Sequence, residues 1–183
     1  DETLHFAPDF NFALEWCEDL LLADADRPTF VALSLSEQLT QIGMPEAMAV
    51  QLMAYLTRRK LAIGETLIRQ GEPADAIYFI ESGEISAYVE VGLGQTVGPA
   101  RQLRLQKITA GTTLGEVGLF LNMPRTASNV ADTPCVVYGI TREAIARMDK
   151  ENPILSAAFN QVLVKLLATR LMAANRERAA LLR

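Results

Sequence analysis

Apolar and polar positions follow three successive rhythms along this chain. Near the N-terminus Pro8 and Asp9 punctuate, and then Phe10, Leu14, Cys17 and Leu21 recur at helical spacing, which predicts a short amphipathic helix with one face to bury. The polar, Pro-containing run "ADADRPTF" follows and reads as a linker. The expected division is a helical segment over 1–26, a linker over 27–35 and a main domain over 36–183. Within that domain "SEQLTQIG" is helical and is stopped by Gly43. Pro45 then opens a second helix, "PEAMAVQLMAYLTRR", in which Met48, Leu52, Tyr55 and Leu56 share a core-facing side.

Between Lys60 and Ile140 the rhythm shortens to two. Short β-prone runs alternate with turns at Gly64, Gly71, Gly83, Gly92, Gly94 and Gly111. The clearest strand is "EISAYVEV", which sets Ile85, Ala87, Val89 and Val91 against Ser86, Tyr88 and Glu90. Several short strands with regular turns predict a sandwich, barrel or roll. The segment "GLGQTVGPA" reads as an exposed hairpin tip with no ligand role. After the strands, "ITREAIARMDKENP" predicts a short helix. Asn152 and Pro153 then supply the cap and first-turn proline of a long final helix. Its apolar stripe is Leu155, Phe159, Val162, Leu163, Leu166, Leu167 and Leu171. The tail "ANRERAALLR" continues that helix as a solvated end, a lid over a site or half of a helix pair in a homodimer.

Composition narrows the function classes. A chain of 183 residues, 50% hydrophobic and 21% charged, fits one globular domain with extra helices at its ends. Its net charge of −5 gives no general pull towards nucleic acid, so no nucleic-acid partner is expected and any bound anion needs a local site. Apolar runs such as "FNQVLVKLLA" are broken by charges well short of the about 20 residues a bilayer span needs. No basic stretch leading into an apolar segment opens the chain, so no signal peptide and a soluble, cytoplasmic chain are expected. Cys17 and Cys135 lie far apart, outside any CxxC or Cys/His cluster, and are read as reduced thiols. His5 is the single histidine, which removes most hydrolytic triads and His-based metal sites; no catalytic residue, metal or cofactor is expected.

The candidate chemistry lies in "TLGEVGLFLNMPRTASNVADTP", residues 113 to 134. Gly115 permits a tight backbone approach, and "EVGLF" forms one helical turn whose first N–H groups are free to meet an anion. Arg125, after a short loop containing Pro124, supplies a planar fork of donors suited to phosphate, and Glu116 accepts hydrogen bonds from hydroxyls. An anion beside a hydroxyl describes a sugar phosphate or a nucleotide. The same two residues, read only as structure, would pair with each other across a loop.

"GEVGLFLNMPRTAS" resembles the phosphate-binding cassette of cyclic nucleotide-binding domains, and the upstream "IGETLIRQGEPADAIYFIESGEISAYV" resembles the early strands of that family. The resemblance spans roughly residues 36 to 180. It implies an α+β fold: an antiparallel, jelly-roll-like β-roll flanked by N-terminal helices and a long C-terminal helix, with cAMP or cGMP inside. It further implies that Glu116 and the Gly115 backbone engage the ribose 2′-hydroxyl. The Gly118 N–H and Arg125 would hold the cyclic phosphate, with Val117, Thr126 and Ala127 completing the site. In the family a hydroxyl at the position of Thr126 is often associated with guanine without excluding adenine. Leu114 stands where many members have Phe. For the base, Asn175, Arg176 and Arg178 of the final helix are further candidates.

A second resemblance covers only about 25 residues: "FAPDFNFALEWCEDLLLAD" is similar to the last helix of the STAS domain of bacterial SulP-type anion transporters. It implies that the chain is a cytoplasmic, regulatory tail, with membrane transporter and STAS domains as partners. Three other classes compete with this sensor reading. A catabolite-activator-like transcription regulator would need a helix-turn-helix after the final helix. A nucleotide-processing enzyme lacks an activated nucleophile or poised acid and base in the cassette. A non-binding dimerisation scaffold would have no use for the cassette residues.

Overall fold

The computed structural model describes residues 33–91 and 101–181, all within the compact unit Leu33–Arg183. Ser34 accepts from the Glu37 N–H while the Glu37 carboxylate accepts from the Ser34 N–H, a reciprocal cap that starts helix α1 (Leu35–Gln41). Helix α2 (Glu46–Leu52) follows Pro45 and tightens into a 3₁₀ turn over Met53–Tyr55. The predicted helix over 45–59 is therefore too long, because Thr57–Leu61 is strand β1. The predicted 1–26 segment, most of the 27–35 linker and the "GLGQTVGPA" tip lie outside the described residues.

Seven more strands follow: β2 (Thr66–Ile68), β3 (Ala76–Ser82), β4 (Glu84–Val91), β5 (Arg101–Thr109), β6 (Thr113–Leu114), β7 (Ser128–Ala131) and β8 (Cys135–Thr141). They form two antiparallel four-stranded sheets, ordered β1-β8-β3-β6 and β2-β7-β4-β5. Helix α3 (Glu116–Phe120) interrupts the strands between β6 and β7, and α4 (Arg142–Glu151) and α5 (Pro153–Leu181) close the chain. The expected β-roll with flanking helices and a long C-terminal helix is the observed fold.

Strand β3 shows how the core is layered. Its apolar run "AIYFI" is covered on both faces: Ile77 and Phe79 point to the helices, whereas Tyr78 and Ile80 point between the sheets. The helix-side core gathers Leu39, Leu52, Met148, Leu155 and Phe159, with Phe79 and Phe159 edge-on at 6.1 Å. The inter-sheet core gathers Leu61, Ile85, Ala131, Cys135 and Val137. Cys135 is a buried free thiol, as read from its isolation in the sequence, and burial pushes its pKa up.

Two features of α5 differ from the expected pattern. Leu155, Phe159, Val162 and Leu163 are buried and Leu166 packs against them, but Leu171 is 62% exposed because the stripe has rotated to solvent by that point. Taken as one helix rather than as broken runs, Pro153–Ala180 is also long and apolar enough, by length and composition, to cross a membrane. Its inward residues Leu155, Phe159, Val162 and Leu163 lie in the helix-side core.

Candidate functional site

The site starts at Gly115, the N-cap of α3. Its φ of +84° lies in the left-handed region, and a Cβ built there would collide with Nη1 of Arg125. Three residues on, a Cβ at Gly118 would sit 2.8 Å from the Ala74 Cβ and 3.1 Å from the Met123 carbonyl oxygen. The one-turn helix is thus pressed close to its surroundings at two points. The loop returns to Arg125 through the Met123 N–H, which donates to the Gly118 carbonyl at 3.0 Å.

Arg125 is held from both backbone and side chain. Its N–H donates to the Glu72 carbonyl at 2.8 Å, and its carbonyl accepts from the Gly71 N–H at 2.9 Å. The upstream "RQGEPAD" turn therefore serves as the cradle of the arginine. The guanidinium, only 5% exposed, donates through Nη1 to the carbonyls of Ala76 (2.9 Å) and Gly115 (3.0 Å) and through Nη2 to Asp75 Oδ1 (3.0 Å). Those three bonds use three of five N–H groups and leave the Nε–H and one Nη2 hydrogen, a fork suited to a phosphate. The guanidinium carbon also lies 6.0 Å from the ring centre of Tyr78, whose phenol is kept neutral by burial and then by the neighbouring Asp75 charge.

Glu116 does not pair with Arg125, which removes the simple cross-loop ion pair as the explanation of these two residues. Its side chain is 3% exposed and accepts through Oε1 from Nη1 of Arg170 at 2.6 Å, while its Oε2 is buried without a partner. Arg170 also donates through Nη2 to the Thr113 carbonyl. A buried carboxylate oxygen with an open acceptor position is costly unless a donor reaches it.

One cavity collects these groups. Gly115, Glu116, Val117, Gly118, Arg125, Thr126 and Ala127, all seven predicted site residues, line it. Ile68, Ala87 and Leu114 give an apolar floor, and Leu105, Gln106 and Asn129 stand on the sheet wall. Leu105 reaches that wall through a bulge: Ala87 pairs with Gln106 and Tyr88 with Arg104, leaving Leu105 without an opposite residue. Among the described residues no cluster of His, Cys, Asp and Glu could hold a metal ion.

Sequence reasoning missed Arg170 and placed its helix candidates too far along. Asn175, Arg176 and Arg178 are exposed and do not line the cavity. The signal was present: Phe159, Leu163, Leu166 and Arg170 succeed one another at spacings of four, three and four, so Arg170 continues the inward stripe that Leu171 leaves.

A β-roll whose single turn of helix, buried arginine and half-satisfied buried carboxylate converge on one cavity defines a binding module for a small anionic, hydroxyl-bearing molecule. The sequence model of the cyclic nucleotide-binding domain family matches residues 58–152, and the chain belongs to that family. It is similar to glutaminase 1 of Bradyrhizobium diazoefficiens, 29% identical over 169 residues that cover 89% of this chain and 25% of that protein. It is also similar to the cAMP-dependent protein kinase regulatory subunit of Eremothecium gossypii, 28% identical over 60% of this chain and 20% of that protein. The chain thus spans a quarter or less of these two relatives. Among solved structures, a cyclic nucleotide-binding domain from Methylobacillus flagellatus shares the fold with a TM-score of 0.68, at 22% identity over 78% of this chain and 79% of that one.

Proposed function

We propose that this chain is a regulatory module that binds a 3′,5′-cyclic nucleotide, cAMP or cGMP, and does no chemistry on it. The observation that carries this reading is the pairing in one cavity of an anion fork, the two remaining N–H groups of Arg125, with an unfilled hydroxyl acceptor, Glu116 Oε2. A cyclic phosphate joined to a ribose bearing a 2′-hydroxyl presents that pair of groups. Gly118 and Thr126 are assigned to the phosphate side and Gly115 and Glu116 to the ribose side, with Val117 and Ala127 lining the remainder. A cytoplasmic location goes with this ligand.

Two attachments have support. The match across 89% of this chain to a protein named glutaminase 1 supports a module fused to an enzyme of that name. The likeness of residues 1–26 to a STAS helix supports a SulP-type anion transporter with its STAS domain. The longer alignment favours the first, and the parent sequence upstream decides: a glutaminase domain in one case, many apolar spans in the other.

Thermal unfolding with ligand tests the binding claim. A cyclic nucleotide at about 100 times its Kd stabilises a fold by about 2.7 kcal/mol. For a domain of this size that raises the midpoint by about 5–10 °C. The expected result is such a rise with cAMP or cGMP and none with the linear 5′-monophosphate; no rise with either cyclic ligand at millimolar concentration contradicts the proposal.

A further inference from the structure

Resting on that reading of the cavity, we infer that Asn129 is its base-reading residue and that its carboxamide selects adenine over guanine. Strand β7 alternates, and its inward positions are Asn129 and Ala131, 6% and 1% exposed. Ala131 belongs to the inter-sheet core, and so do the residues paired with Asn129 on either side, Ile68 of β2 and Ala87 of β4. The pattern calls for an apolar residue at 129, and a carboxamide stands there instead. Its side chain lines the cavity and makes no hydrogen bond among the described residues. Burying an amide without a partner is costly, so a group that enters the cavity and pairs with it is favoured.

Strand register builds a slot beside this amide. Ala87 pairs with Asn129 on one side and with Gln106 of β5 on the other, so one row across three strands reads carboxamide, methyl, carboxamide. At about 4.8 Å per strand, the two amide-bearing residues stand about 10 Å apart with only a methyl between them. A flat ring fits over that methyl with its polar edge turned to an amide. With the phosphate assigned to Arg125, Gly118 and Thr126 and the ribose to Gly115 and Glu116, the polar lining left for a base is Asn129 and Gln106. Of these two, Asn129 is the buried one.

The choice of purine follows from the donors and acceptors. A carboxamide carries an acceptor oxygen beside an NH₂ donor, and it makes two bonds to an edge that shows a donor beside an acceptor. Adenine shows that pair twice, its N6 amino group standing between N7 and N1. Guanine shows two acceptors, O6 and N7, on the corresponding outer edge, which suits arginine or lysine. Both guanidinia that line the cavity are turned elsewhere: Arg125 to Ala76, Gly115 and Asp75, and Arg170 to Glu116 and Thr113. The Thr126 hydroxyl both donates and accepts, so it serves either base and does not decide between them.

Ligands that differ only in the base separate this role from mere packing. Titrate wild type and the near-isosteric Asn129→Leu with cAMP, cGMP and purine riboside 3′,5′-cyclic monophosphate, which lacks the N6 amino group. Wild type is expected to bind cAMP about tenfold or more tighter than either of the others, the cost of leaving a buried amide half paired. Asn129→Leu should weaken cAMP about tenfold while shifting the deamino ligand by less than about threefold, which erases the preference.

Equal affinity of wild type for cAMP and the deamino ligand, or tighter binding of cGMP, overturns the inference. So does equal weakening of all three ligands in Asn129→Leu, the mark of a packing residue. Wild type alone supplies the second readout: the side-chain NH₂ resonances of Asn129 should move on saturation with cAMP and move less with the deamino ligand. Resonances unmoved by saturating cAMP overturn the inference even if the variant fails to fold. Failure of wild type to bind any of the three ligands removes the functional reading of the cavity itself, and this inference with it.

Discussion

Replacing Gly115 by alanine tests the phosphate turn at its tightest point. The residue sits at φ +84°, where a side chain costs about 1–2 kcal/mol, and the added Cβ would run into the Arg125 guanidinium. The expected variant melts several degrees lower and binds cyclic nucleotide more weakly, because the displaced fork is the one proposed for the phosphate. An unchanged melting curve together with unchanged affinity would show that Arg125 moves aside at no cost. At this scale the cassette was legible: Gly115, Glu116 and Arg125 lie within one short segment that resembles the family's, and all three line one cavity. Arg170 was not, since its partner lies 54 positions away in the chain and is met only once α5 packs on the roll.

Among the elements, the junction of α4 and α5 rests on Asn152. Its Oδ1 accepts from the Leu155 N–H at 3.1 Å, capping α5, and its Nδ2 donates to Gln51 Oε1 at 3.2 Å. Asn152→Ala should cost about 1 kcal/mol and lower the melting midpoint by about 2–4 °C, as a lost N-cap does. Circular dichroism during heating checks it; a shift below a degree would mean that core packing of Leu155 and Phe159 sets the helix start alone. This cap was readable in "NP", as was the strand "EISAYVEV", found at Glu84–Val91. Strand β1 was not. Thr57 to Lys60 are all exposed and show no alternation, and only pairing with β8, from Thr57 opposite Gly139 to Leu61 opposite Cys135, makes them a strand. A helical stripe running into "TRR" could not reveal a partner strand about 80 residues downstream.

For the molecule as a whole, the roll and its helices have separate cores that share strand β3, with Ile77 and Phe79 on one side and Tyr78 and Ile80 on the other. The cavity is lined by Ile68, Ala87, Ile108 and Leu114 of the inter-sheet core, and α5 reaches it through Arg170. Periodicity and turn spacing reach a sandwich, barrel or roll, and the roll with its flanking helices is what the resemblance to the family implied. The register that sets Leu105 and Gln106 on the cavity wall depends on a bulge that no local pattern announces.

The most direct measurement is calorimetric titration of the purified chain with cAMP and cGMP, beside Arg125→Ala. Removing the buried phosphate partner should weaken binding by about 2–4 kcal/mol, on the order of 30-fold to 1000-fold. Saturable one-site binding that collapses in Arg125→Ala is the predicted result, and the stronger ligand identifies the base preference. Binding that survives intact in a folded Arg125→Ala variant, or no heat with either nucleotide at millimolar concentration, contradicts the account.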